Sequence, residues 1–152
     1  MRTKSPVHLL TKVVVDILFF GGIICCAALP FFQKPMMTFL QYTMPDYDRL
    51  QFLAVLEISG LACVYALWQL KKALKTVLKG NPFIEANVSV FRRIAVASFV
   101  IALVYFIHCI AAFNVAQAAI IILFIVVGLF SLTLKDIFKQ AVHYKDENDY
   151  TV

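Results

Sequence analysis

The chain has 152 residues, of which 62% are apolar and only 15% charged, against roughly 45–50% and about 25% in ordinary soluble domains. A soluble domain of this length cannot hide that much apolar surface in its own core, so a lipid bilayer must take it. The net charge of +5 would suggest nucleic acid as a partner for a soluble chain. Here the basic residues stand at the ends of apolar runs, where the positive-inside rule accounts for them, and no direct nucleic-acid binding is expected.

A transmembrane helix needs about 20 mostly apolar residues, and four runs of the chain supply them. The first, Val13–Phe32, follows a basic head carrying Arg2, Lys4 and Lys12. It is longer than the roughly 7–15 apolar residues of a signal peptide, so a retained span is expected. The second, Phe52–Leu70, is bounded by Asp46, Asp48 and Arg49 before it and by Lys71 and Lys72 after it. The third, Ile94–Phe113, follows Arg92 and Arg93, and the fourth, Val115–Leu134, ends at Lys135.

Between the last two runs, the uncharged segment Asn114–Gln117 leaves room only for a tight turn. One continuous helix from Ile94 to Leu134 would reach about 60 Å, twice the roughly 30 Å hydrocarbon thickness. The expected fold is therefore an all-α membrane protein: a single domain forming a four-transmembrane-helix bundle.

Orientation follows from lysine and arginine. The head, the middle connection and the tail hold twelve of the fourteen basic residues, and the other two connections hold only Lys34 and Arg49. Both termini and the middle connection are expected in the cytoplasm, at the cell membrane.

The helical pattern continues beyond the second run. Lys71, Lys72, Lys75 and Lys79 fall on one face, and Leu70, Leu74, Val77 and Leu78 on another. Gly80 reads as a left-handed stop, Asn81 as the cap of a new helix, Pro82 as its first turn, and Glu85 as an acid near its positive end. Phe83, Ala86, Val90 and Ile94 then lead into the third run. Residues 71–93 thus form a cytoplasmic αα-hairpin extending helices two and three. In the tail, 135–152, Ile137, Phe138, Ala141 and Tyr144 line one side of a helix, and Lys135, Asp136, Lys139, Gln140 and His143 the other. The lysines, with Arg92 and Arg93, suit anionic lipid, at about 1 kcal/mol each near the surface. Together with Asp146, Glu147 and Asp149 they also offer a docking surface for a soluble partner.

Three ionisable residues lie inside the spans, where a charge costs about 2.5–3.5 kcal/mol on insertion scales. Asp16 is one turn inside the first span, within reach of headgroups or a lysine. Glu57 is five residues past Phe52, and His108 five residues before Phe113. On adjacent antiparallel helices that places both at one depth, so a Glu57–His108 pair is expected, with Tyr105 one turn away able to join it. Such a pair reads either as a structural clamp or as a ligand or proton site.

Cys25, Cys26, Cys63 and Cys109 all lie in apolar runs without CxxC or His partners, so neither a metal site nor a cofactor is expected. No HExxH, GxSxG or phosphate-binding glycine loop is present, and no enzymatic activity is expected.

Gly80-Asn81-Pro82-Phe83, the basic helix after it, and the ending Lys145-Asp146-Glu147-Asn148-Asp149-Tyr150-Thr151-Val152 resemble the signatures of a small bacterial membrane family. It is known as domain of unknown function 2975 and includes the YoaS-like proteins. Tyr150 departs from the leucine usual in that ending. Such proteins are often encoded beside a small helix-turn-helix regulator, so the resemblance implies a link to transcription control and no catalysis. The expected function is a regulatory or sensing membrane subunit engaging a cytoplasmic partner. The alternative is a small transporter or immunity-type protein using the Glu57/His108 site. A homo-oligomer stays open.

Overall fold

The computed structural model describes residues 6–39 and 46–150. It is all-helical: α1 spans Pro6–Phe39, α2 Asp46–Leu78, α3 Glu85–Ala111 and α4 Val115–Tyr150. All four helices are long and apolar enough to cross a membrane, which agrees with the runs read from sequence. With 27 to 36 residues each, at about 1.5 Å per residue, every helix is longer than the hydrocarbon thickness.

Among the described residues, backbones approach within 8 Å only between chain neighbours: α1 with α2, α2 with α3, and α3 with α4. The helices form a serial array with α2 and α3 in its middle. The main apolar cluster reflects this order. Val55 of α2 packs with Ile101 and Tyr105 of α3, joined by Ala62, Cys63, Val104, Ile120, Ile121 and Phe124. Large side chains such as Phe20, Ile24, Phe106, Ile110, Ile122 and Phe130 face outward. Without an aqueous driving force between such helices, close packing and internal hydrogen bonds must hold them together. Gly60 and Gly128 serve that purpose. A Cβ at Gly60 would lie 2.7 Å from Cys26 Sγ, and one at Gly128 2.7 Å from Phe99 Cε1. Two interior hydroxyls are satisfied within their own helices: Ser98 donates to the Ile94 carbonyl and Ser131 to that of Val127.

The two described connections are tight. Gly80 adopts φ +79°. The Gly80 amide donates to the Val77 carbonyl and the Asn81 amide to that of Thr76, a Schellman ending that only a residue free of left-handed strain closes readily. At the other end, the Asn114 side chain accepts from the Ala116 amide at 2.8 Å and caps α4. The turn itself is therefore Ala112–Asn114, and Gln117, expected in the turn, lies inside α4.

One local expectation is corrected. Ile84, in an extended conformation, is the N-cap of α3 without a side-chain bond. Asn81, expected as the cap, instead accepts from Lys145 Nζ at 2.9 Å. Asn87 ties the start of α3 to the connection, its side-chain amide donating to the Pro82 carbonyl. In the tail, α4 runs unbroken to Tyr150, with Val142 buried and Ile137 and Tyr144 exposed.

Candidate functional site

Two regions gather the chemistry-bearing side chains: a polar layer near the α3–α4 turn, and the opposite, basic end of the array. In the polar layer, His108 Nδ1 lies 3.1 Å from Gln117 Oε1, and the Phe52 ring is 6.4 Å away between centroids. Gln117 is buried and follows the turn closely, as His108 closely precedes it. This pair ties α3 to α4.

The expected Glu57–His108 pair is not formed: among the described residues, no hydrogen bond or ion pair joins them. The depth argument ignored direction around the helix. Glu57 is two residues from both Val55 and Ser59, which are buried, and Val55 packs on α3. Two residues at about 100° each turn Glu57 away from that face, onto the side of Gly60, three residues on, which abuts Cys26 of α1. Tyr105 does not join His108 either. It is buried in the α2–α3–α4 cluster beside Ser59.

Beside that cluster lies a mostly apolar cavity of about 340 Å³. Cys26, Ser59, Gly60, Cys63 and Tyr105 line it, together with apolar side chains of all four helices. It is not legible in the sequence, because Cys26 and Cys63 belong to different runs and come together through the close α1–α2 approach at Gly60. The four cysteines are free, and no three metal-ligating side chains cluster among the described residues. Gln69 is fully buried and neither of its amide atoms has a hydrogen-bond partner among the described residues; we have no physical account of it.

At the basic end, Asp16 finds a lysine as expected: Lys71 Nζ is 2.9 Å from its carboxylate. The same ammonium lies 4.3 Å from the Phe19 ring centre and 4.7 Å from that of Phe20. Lys72 sits 3.4 Å above Trp68. Lys75 and Lys79 follow on the same face and stay exposed, as do Arg92 and Arg93 on α3. The Arg pair lines a separate hollow with Tyr65, Ser89 and Val96.

Here the α2–α3 hairpin and the end of α4 meet. The Phe138 ring lies 4.8 Å from Phe91 and 5.7 Å from Phe83 between centroids, and Lys145 reaches Asn81. The two motifs singled out in sequence, Gly80–Phe83 and the tail, are thus in contact. Buried Asn87 locks the hairpin from inside, bonding the Thr76 hydroxyl at 2.7 Å. Asp146 and Glu147 are exposed on the outer side, Glu147 next to His143 at 3.3 Å. Asp149 lies in α4, its side chain outside the described residues. Phe138 as the hinge of this contact was legible only as part of an apolar stripe; its partners could not be read without the helix rotation.

No curated protein and no solved structure matches the chain. The family model for proteins of unknown function DUF2975 matches residues 12–152. With nearly its whole length covered, and with four apolar helices able to cross a membrane, the chain belongs to that family.

Proposed function

We propose that the protein is a multi-pass membrane subunit that holds a soluble regulatory partner at its basic, cytoplasmic end. The observation that carries this reading is the contact between the α2–α3 hairpin and α4. A helix that only had to span would end near Leu134, yet α4 continues to Tyr150 and is held to the hairpin through Phe138 and Lys145. A pre-formed surface lowers the ordering cost of binding. Around that contact, Phe83, Ile137 and Tyr144 stay exposed among charged side chains, the mixture of apolar anchors and polar rim that a protein partner uses. The family resemblance points to a small DNA-binding regulator as that partner.

The test is truncation. Removing residues 146–152 leaves Lys145 and Phe138, and so the hairpin contact, in place. The full chain is expected to retain a small DNA-binding protein from its own cytosol through detergent purification. The truncated chain should insert equally well and lose that partner at least tenfold. Equal recovery by both chains, or none by the full chain, would contradict the reading.

A further inference from the structure

Between α1 and α2, where both helices leave their apolar runs at the basic end, lies a cleft of about 540 Å³, within the roughly 300–1,000 Å³ typical of ligand pockets. Lys12 of α1 and Lys71, Lys72, Lys75 and Lys79 of α2 line it, against the single acid Asp16. Two of these ammoniums are already engaged: Lys71 by Asp16 and the Phe19 and Phe20 rings, Lys72 by the face of Trp68. Lys12, Lys75 and Lys79 have no acidic partner among the described residues.

We propose that this cleft is a binding site for a phospholipid whose headgroup carries two phosphodiesters. Five lysines facing one carboxylate leave four positive charges unmatched. A single phosphodiester brings one negative charge, so a doubly charged headgroup matches the site better. The ligand comes from the bilayer rather than from solution, because the wall is amphipathic. Phe19, Trp68, Leu74 and Leu78 contribute to it, and Ile17, Phe20 and Ile24 continue outward along α1 as exposed apolar surface. Acyl chains have a path there that inorganic phosphate does not need. Basic pockets between spanning helices recognise anionic headgroups in this way. A headgroup held between Lys12 and the Lys75–Lys79 pair bridges α1 to α2, the helix against which its backbone packs.

The chain has one tryptophan, Trp68, and it lines the cleft, so its fluorescence reports occupancy. The full chain in neutral detergent is titrated with diphosphatidylglycerol, phosphatidylglycerol, phosphatidylcholine and inorganic pyrophosphate. Saturable change is expected with diphosphatidylglycerol, at least fivefold weaker binding with phosphatidylglycerol, and none with phosphatidylcholine. Each surface lysine contributes about fivefold, so the combined change Lys12→Gln, Lys75→Gln and Lys79→Gln should weaken binding about a hundredfold. Arg92→Gln with Arg93→Gln, on the other side of the array, should change it less than about threefold. Lys79→Gln alone, expected to lose about fivefold, serves if the triple variant fails to fold. Absence of saturation, equal losses for the arginine variant, or pyrophosphate binding as tightly as the lipid would overturn the proposal.

Discussion

Asn87→Ala should destabilise the protein by about 2–3 kcal/mol and free the hairpin from α4. The side chain is buried and its amide serves two elements at once. It bonds Thr76 Oγ1 at 2.7 Å and also the Pro82 carbonyl, while the Thr76 hydroxyl contacts Asn87 Oδ1 at 3.0 Å. Each ordinary hydrogen bond contributes about 1 kcal/mol net, and a buried group left unpaired costs about 1–3 kcal/mol. Asn81→Ala is the contrast. Its bond to Lys145 is exposed, so a loss of about 0.5 kcal/mol or less is expected. Denaturant titration in detergent reads both. Equal effects would mean that the hairpin is not held by its internal network.

Gly128→Val should be comparably damaging, for the opposite reason. Gly128 is buried, and a Cβ there would meet Phe99 at 2.7 Å from Cε1 and 2.8 Å from Cζ. Overpacking of this kind costs about 1–3 kcal/mol. Gly21→Ala, where nothing lies within 4 Å, should be close to neutral. Adding Phe99→Leu should recover much of the loss. If it recovers nothing, the close approach is not where the structure places it.

The spans were legible because each is a long apolar run bracketed by charge, a signal that needs no tertiary information. The left-handed stop at Gly80 was legible too, since glycine after a basic last turn has few other readings. Direction around the helix axis was not. Glu57 and His108 are matched in depth, yet Val55 of α2 packs on α3 while Glu57 falls on the Gly60 side, which faces α1. His108 turns instead to Gln117, across the turn in the first part of α4. Likewise, the stripe of Ile137, Phe138, Ala141 and Tyr144 names one side of α4 but not that Val142 is buried and Ile137 and Tyr144 exposed. Periodicity says which residues share a face. Only packing against a neighbour says which face is inside.

The central claim is that the hairpin, the α4 extension and the α1 head lie together on the cytoplasmic side, with the α3–α4 turn outside. Single cysteines in a cysteine-free background test it most directly, read with a membrane-impermeant thiol reagent on intact cells and again after permeabilisation. Asn114→Cys should label in intact cells. Lys79→Cys and Tyr144→Cys, exposed in the structure, should label only after permeabilisation. Labelling of Lys79→Cys or Tyr144→Cys from outside, or protection of Asn114→Cys until the membrane is opened, would contradict the account.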